Sequence, residues 1–218
     1  MQGPADLSTA GEVVSAAPSL LVKGLVGSRC IQGDLCYPGR RCIGCGTAVL
    51  TIRPERVRLK AYLDIETCAG GQVTVVGIYR EDRGFRQLVG GTISDLSVAE
   101  ALDGVDTICT YNGDRFDLPI LERQVRLDLR SRYRSLDLLR ECRKVGLKGG
   151  LKHLEERLGI ARTTRGMSGW DALRLWAKYE AEGDREALGL LLEYNREDVM
   201  NLVTLERIVV GVPLEPEA

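Results

Sequence analysis

Apolar residues recur along most of the chain with two different periods, and the change of period separates a strand-rich first part from a helix-rich second part. Three segments have the length and the Val, Ile and Tyr content of strands, and they lie at residues 57–66, 72–80 and 84–90. A glycine-containing turn at 68–71 joins the first two segments. A short helix is predicted around 96–102, and a fourth apolar strand at 106–112.

Helical periodicity dominates the second half of the chain. One amphipathic helix is predicted over 116–129, with Asp117 at its start and Pro119 in its first turn, as is typical of helix N-termini. Further helices are predicted at 151–160, 169–183 and about 184–210. Strands that precede helices, with one strand–helix alternation between them, predict a single α/β domain over residues 57–211, in which helices pack on a mixed sheet.

Two segments precede this domain. Residues 1–28 are small and polar, and we expect them to be poorly ordered. Residues 29–52 are predicted to form a small glycine-rich knuckle with four cysteines, at Cys30, Cys36, Cys42 and Cys45. Four clustered thiols are more often metal ligands than a coincidence, and the short spacing of the last pair is common to zinc and iron–sulfur sites.

Composition and charge exclude several classes of protein. The formal net charge is −1, so the chain does not bind nucleic acid through bulk charge alone, which leaves a local basic patch as the alternative. No apolar run reaches the ~20 residues that span a bilayer, and residues 1–18 lack the pattern of a signal peptide. We therefore expect a cytoplasmic protein with no membrane partner and with reduced cysteines.

Two carboxylates stand at the end of the first predicted strand, in the stretch KAYLDIETCAG at residues 60–70. Asp64 and Glu66 are two residues apart, so in a strand both side chains point to the same face. Two neighbouring carboxylates without a partner repel each other, which indicates a cation bound between them. An exposed strand end is the alternative interpretation.

Three further residues complete a group with the chemistry of a metal site. Asp117 lies where the fourth strand passes into a helix, and Asp198 lies inside the last helix, four residues after Tyr194 on the same helical face. Four carboxylates from three elements are typical of a site for two Mg²⁺ or Mn²⁺ ions, in which an activated water attacks a phosphodiester. Tyr194 would position that water.

Three motifs that contain these residues are similar to those of a known family. The stretches LDIET, YNGDRFDLP and YNREDV resemble the three exonuclease motifs of the DEDD superfamily of 3′–5′ exonucleases, in its tyrosine subclass. That subclass includes the proofreading domains of B-family DNA polymerases and ribonuclease D, and the second half of the chain is more similar to the YprB-like group. The resemblance covers about residues 57–210 and implies a ribonuclease H-like fold.

The resemblance also implies a role for each carboxylate. Asp64, Glu66 and Asp198 would hold the first metal ion, and Asp64 would bridge to the second. Asp117 would support the second ion through water, and Tyr194 would orient the nucleophile.

Residues outside the acidic positions are candidates for other roles. By the same resemblance, Asn112 and Phe116 would line the pocket for the 3′-terminal nucleotide, and Phe116 is as consistent with a core position as with a stacking platform. Trp170 and Trp176 lie six residues apart on one predicted helix and are interpreted as packing residues.

A basic stretch lies between the second and third motifs. Residues 123–148 carry nine Arg or Lys and three acids, a local charge of +6. Arg123, Arg126 and Arg130 recur at helical spacing, which indicates either a solvated helix face or a track for phosphates that leads to the metals. Lys152 is a candidate for the same role.

Together these patterns predict a metal-dependent 3′–5′ exonuclease that acts on single-stranded DNA or RNA with a free 3′ end. Two alternatives stay open, namely a nucleic-acid-binding module of a repair or processing assembly and a structure-specific endonuclease. Nothing identifiable in the sequence reads a 2′-hydroxyl, so the sequence does not choose between DNA and RNA.

Overall fold

A mixed sheet of five strands organises residues 58–211, the part of the chain that the structure, a computed structural model, describes. Its strands are β1 (Lys60–Thr67), β2 (Val73–Arg80), β3 (Gly84–Val89), β4 (Thr107–Thr110) and β5 (Arg134–Asp137). They lie in the order β3-β2-β1-β4-β5. The first three pair antiparallel, whereas β4 pairs parallel with β1 and β5 pairs parallel with β4, so β1 lies at the centre of the sheet.

Helices cover both faces of this sheet. The seven α-helices within residues 58–211 are α1 (Asp95–Ala101), α2 (Asp117–Val125), α3 (Leu129–Arg132), α4 (Leu138–Lys144), α5 (Leu151–Leu158), α6 (Gly169–Glu182) and α7 (Arg185–Val210). One buried apolar cluster joins the sheet to α1, α2 and α3, and a second joins it to α4, α5 and α7. None of these helices is both long and apolar enough to cross a membrane.

Side chains of β1 alternate between these two faces of the sheet. Leu63 and Ile65 belong to the apolar cluster with α1 and α2, whereas Tyr62 belongs to the cluster with α7. Since side chains two residues apart share a face, Asp64 and Glu66 lie on the α7 side together with Tyr62.

The longest helix, α7, is tied to the beginning of β1 by a buried carboxylate. Glu206 accepts a hydrogen bond from the Tyr62 hydroxyl at 2.6 Å and pairs with the ammonium of Lys60. Burial and this neighbouring carboxylate raise the pKa of Tyr62, so its hydroxyl keeps the proton that it donates. These contacts fix the end of α7 over the same face of β1 that carries Asp64 and Glu66.

The predicted mixed sheet with flanking helices is confirmed for residues 58–211, and two details differ from the prediction. The helix predicted over 116–129 ends at Val125, because Arg126 adopts a left-handed conformation with φ of 54° and closes α2. The apolar pattern also does not predict β5 or α4, since β5 (RSLD) contains a single apolar residue, Leu136. Asp137 caps α4 directly after this strand and accepts a hydrogen bond from the Leu139 amide.

A glycine on β2 allows α7 to approach the sheet closely. Gly77 pairs with Asp64 across β1 and β2. A Cβ atom at position 77 would lie 2.8 Å from Cγ2 of Val199 and closer still to the side-chain oxygen of Asn195. We therefore expect Gly77→Ala to destabilise the protein by about 1–3 kcal/mol through overpacking, as measured by urea unfolding.

Gly189→Ala is the matched control for this substitution. Gly189 is an exposed residue of α7, and a Cβ atom there would meet nothing within 4 Å. Alanine is the better helix former, so this variant is expected to be as stable as the wild type or slightly more stable. Equal stability of the two variants would contradict the close approach of α7 to β2.

Candidate metal centre

Three carboxylates from β1 and α7 meet on one side of the sheet. Oxygen atoms of Asp64, Glu66 and Asp198 lie within 4.8 Å of one another. The first two share a face of β1, and the third projects from the helix that packs on that face. The structure thus brings together the three residues that the sequence predicts as ligands of a first metal ion.

The fourth predicted carboxylate, Asp117, lies at the start of α2 and is also buried. Its Oδ1 accepts a hydrogen bond from the backbone amide of Ile65, at 3.2 Å, which attaches it to β1 between Asp64 and Glu66. Burial, together with the charges of Asp137 and Asp198, raises the pKa of Asp117 to about 7 in spite of this hydrogen bond. Asp117 therefore belongs to the same electrostatic cluster.

The electrostatics of the cluster favour a bound cation. Burial, followed by the charges of Asp198 and Asp117, raises the pKa of Asp64 well above its ordinary value. Burial and the charge of Asp198 raise the pKa of Glu66 to about 8. Each shift means that the ionised carboxylate is disfavoured where it stands, and a divalent cation would reverse that preference.

The donor set fits a hard divalent cation. Carboxylate oxygens suit Mg²⁺ and Mn²⁺, whereas zinc and copper sites usually include imidazole or thiolate ligands. The three oxygen donors come from β1 and α7. Because Mg²⁺ and Mn²⁺ bind more than three ligands, coordination positions remain for water or a substrate oxygen.

Lys152 and Tyr194 form a pair at the edge of the cluster. The ammonium of Lys152 donates to the Tyr194 hydroxyl at 2.5 Å and lies 3.6 Å from Oδ2 of Asp198. The same ammonium lies 4.3 Å from the centre of the tyrosine ring. Burial and the nearby carboxylates raise the pKa of Tyr194, so the phenol stays protonated.

A buried arginine that the sequence analysis does not identify is bonded to the same aspartate. Arg162 lies in the loop between α5 and α6, and its Nη1 atom donates to Asp198 Oδ1 at 2.5 Å. The same nitrogen donates to both oxygens of Glu155, at 3.0 and 3.1 Å. Only 6% of the Arg162 side chain and 2% of the Glu155 side chain are exposed. The loop has no apolar period, so nothing in the sequence marks Arg162 as buried.

One side-chain amide contacts the cluster and a second supports the first, and the sequence analysis identifies neither. Asn195 of α7 is fully buried and donates to Oδ2 of Asp64 at 2.9 Å. Gln87 of β3 donates to the side-chain oxygen of Asn195 at 2.8 Å. Asn195 directly follows Tyr194 in the third motif, and this position is the one feature of the sequence that could have indicated its role.

The predicted pocket residues Asn112 and Phe116 lie between β4 and α2. Asn112 has a φ of 63°, and its backbone N–H donates to Oδ1 of Asp137 at 2.8 Å. Phe116 is 47% exposed and lines a cavity of about 330 Å³ together with Glu66 and Trp170. Phe116 is therefore not a core residue.

The two tryptophans of α6 have different environments. Trp176 is buried against Tyr194 and Leu191, so its prediction as a packing residue is confirmed. The same prediction for Trp170 is wrong, because that side chain is 78% exposed. Six residues on a helix correspond to a rotation of about 600°, or 240° beyond one full turn, which takes Trp170 away from the buried face.

The predicted basic track does not form a single helical face. Arg123 lies on α2 and lines a depression of about 800 Å³ that is bordered by α2 and α6, whereas Arg126 lies at the left-handed end of α2. Arg130 lies on α3 and pairs with Glu122 at 2.6 Å. The helix predicted over 116–129 ends at Val125, before Arg126, so the three arginines do not share one helix.

The predicted cysteine ligands lie outside residues 58–211, at Cys30, Cys36, Cys42 and Cys45. Within the described part of the chain, Cys109 and Cys142 are buried in the core and Cys68 is half-buried.

Comparisons with known proteins agree with this fold. A family model described as the RNase_H superfamily matches residues 61–210. A solved structure of the family B DNA polymerase from the hyperthermophilic archaeon Pyrobaculum calidifontis is similar in fold, with a TM-score of 0.55 and 16% sequence identity. The match covers 70% of this chain and 24% of the polymerase chain, so this chain spans about a quarter of that protein. A search among curated proteins finds no match.

Proposed function

Because this chain belongs to the RNase_H superfamily, we propose that it is a nuclease that uses divalent metal ions to remove nucleotides from the 3′ end of single-stranded nucleic acid. The observation that carries this proposal is the convergence of Asp64, Glu66 and Asp198 beside the Lys152–Tyr194 pair. The fold and the acidic cluster fit a nuclease in general. The 3′–5′ direction is the more specific part of the proposal.

The three sequence motifs support that direction. Their order and their acids resemble the tyrosine subclass of DEDD exonucleases, and the second half of the chain resembles the YprB-like group. The solved structure that matches is of a family B DNA polymerase, and the subclass that the motifs resemble includes the proofreading domains of such polymerases. We assign the chain to this subclass as part of the proposal.

Residues of this chain would hold the metals and the water. Asp64, Glu66 and Asp198 lie close enough together to bind one ion, and Asp117, which is bonded to the same strand, would support a second. Divalent ions in such a site activate a water and stabilise the leaving oxygen of a phosphodiester. The chain supplies the ligand geometry and holds it on the central strand β1, which is paired on both sides.

Tyr194 would orient the attacking water rather than take its proton. Lys152 donates to the phenol oxygen, so the hydroxyl hydrogen of Tyr194 is free to bond a water. A phenol with a raised pKa keeps its own proton at neutral pH and therefore does not take one from the water. The ammonium of Lys152 would also attract a phosphate to the carboxylate cluster.

An exposed aromatic side chain next to the cluster suits an unpaired terminal base. Phe116 and Glu66 line the same cavity, and every nucleobase can stack on an aromatic ring. Asn112 lies on the same β4–α2 connection, and Arg123 lies further along α2. We propose these residues as contacts for the substrate, with DNA and RNA equally compatible with them.

A labelled oligonucleotide tests this function. A 5′-labelled single strand incubated with Mg²⁺ or Mn²⁺ should give a ladder that shortens from the 3′ end, and a chelator should stop the reaction. A circular single strand of the same composition should stay intact. Cleavage of the circle would indicate an endonuclease instead, and binding without cleavage would indicate a binding module.

For the segment before residue 58, we propose a separate metal site with Cys30, Cys36, Cys42 and Cys45 as ligands. Four thiols can hold zinc or an iron–sulfur cluster. Anaerobic purification followed by metal analysis and a visible spectrum distinguishes the two. Free reaction of all four thiols in the folded protein, with neither metal present, would contradict this site.

A further inference from the structure

Asp64 is held from one side by a chain of two amide side chains. Asn195 is fully buried in α7 and donates through Nδ2 to Oδ2 of Asp64 at 2.9 Å and to its backbone oxygen at 3.3 Å. Gln87, half-buried on β3, donates through Nε2 to Oδ1 of Asn195 at 2.8 Å. The same nitrogen of Gln87 donates to the backbone oxygen of Leu192 at 2.9 Å. The missing side chain at Gly77 leaves the room that Asn195 occupies.

The donors and acceptors in this series of hydrogen bonds are fixed, because the series ends on a backbone carbonyl oxygen. A carbonyl oxygen only accepts hydrogen bonds, so the Leu192 oxygen requires the amino end of Gln87 to face α7. That amino group then requires the oxygen end of Asn195 to face it. The amino end of Asn195 is therefore left to face Asp64, which accepts from it.

From this geometry we propose that Gln87 and Asn195 are positioning residues that hold Asp64 Oδ2 and leave its Oδ1 for a metal ion. This inference rests on the proposed function, because it concerns how the same carboxylate cluster binds its ion. Partners that bond the second oxygen of a metal-binding carboxylate fix its rotamer and tune its affinity. Gln87 acts through Asn195, and it makes no hydrogen bond to Asp64.

Gln87→Glu tests this arrangement without touching Asp64. A glutamate carboxylate can only accept, so the amino end of Asn195 is expected to turn toward position 87. The oxygen of Asn195 would then face Oδ2 of Asp64, which replaces a donated hydrogen bond by a repulsion. The dissociation constant for Mn²⁺, measured by titration calorimetry on the full chain, should rise about 10–100-fold. Mn²⁺ prefers oxygen ligands, so its binding reports on the carboxylates rather than on thiols.

The direction of the change in Mn²⁺ affinity distinguishes an effect of the Asn195 orientation from an effect of the added charge. A new carboxylate near the cluster would by its charge alone attract Mn²⁺ and tighten its binding. Gln72→Glu, on the exposed turn between β1 and β2, adds the same charge without contacting Asn195, and its Mn²⁺ affinity is expected to equal that of the wild type or to exceed it. Weaker binding in Gln87→Glu with unweakened binding in Gln72→Glu supports the proposal.

Each other outcome has a defined meaning. Wild-type or tighter Mn²⁺ binding by Gln87→Glu overturns the inference and leaves the proposed function intact. Failure of the wild-type protein to bind Mn²⁺ overturns both. Should Gln87→Glu fail to fold, Gln87→Met removes the donor without adding charge, and its expected several-fold loss of Mn²⁺ affinity decides the question.

Discussion

Asp64→Asn is expected to lower the rate of hydrolysis of a single strand by about 1000-fold or more, which corresponds to about 4 kcal/mol of transition-state free energy. Asp64 lies at the centre of the carboxylate cluster, on the central strand, and its oxygens lie close to those of both Glu66 and Asp198. An amide has a neutral oxygen and binds a divalent cation more weakly. The measurement is the single-turnover rate on a 5′-labelled oligonucleotide at saturating Mn²⁺.

The melting temperature of Asp64→Asn shows whether a loss of activity comes from the loss of a metal ligand or from unfolding. Without metal, Asp64→Asn should melt at the same temperature as the wild type or higher, because burial and the neighbouring carboxylates disfavour the ionised Asp64. Mn²⁺ should raise the melting temperature of the wild type and raise that of the variant less, since a ligand of the native state stabilises it by mass action. Asp95→Asn, an exposed substitution in the first turn of α1, is the control and should keep the full rate. Hydrolysis by Asp64→Asn at near wild-type rates would refute the assignment of Asp64 as a ligand.

Arg162→Met is expected to destabilise the protein by about 3–5 kcal/mol without added metal, which is more than Gly77→Ala does. The guanidinium is bonded to Glu155 and Asp198, and the carboxylates of both are almost completely buried. Methionine fills a similar volume, and it leaves the buried carboxylate of Glu155 without its cation and that of Asp198 with Lys152 alone. Urea unfolding followed by circular dichroism measures the loss.

The same substitution at the surface provides the control. Arg174 pairs with Asp171 on α6, but its side chain is mostly exposed, so Arg174→Met should cost less than about 1 kcal/mol. Adding Glu155→Gln to Arg162→Met should recover part of the lost stability, because it removes one of the unpaired charges. Equal effects of the two methionine substitutions would show that the buried pairs of Arg162 contribute little.

The sequence predicts the acidic site well because its chemistry follows from local periodicity. Two carboxylates at i and i+2 on a strand must share a face, and a tyrosine and an aspartate at i and i+4 must share a side of a helix. The motifs then supply the order in which those elements meet. Asp64, Glu66 and Asp198 do converge, as the resemblance of the three motifs implies.

The partners of these acids could not be predicted in the same way. Gln87 meets Asn195 across 108 positions of the chain, and Arg162 meets Asp198 across 36, with no period that links either pair. Arg126 carries no signal that distinguishes a helix end from a helix interior, so the predicted basic track extended past the true end of α2. The contacts of Gln87 and Arg162 form only when α7 packs against the sheet and the α5–α6 loop, so no local pattern in the sequence predicts them.

The contacts of α7 with β1 at two separated points also constrain how this chain can change in length. Asn195 bonds Asp64, and Glu206 bonds Tyr62 and pairs with Lys60, so the two anchors on α7 are eleven positions apart, close to three turns of a helix. One residue inserted between them would rotate the second anchor by about 100° away from β1. The stretch between Asn195 and Glu206 should therefore accept substitutions at exposed positions but reject insertions and deletions, whereas the exposed turn between β1 and β2 can vary in length without moving any carboxylate of the site.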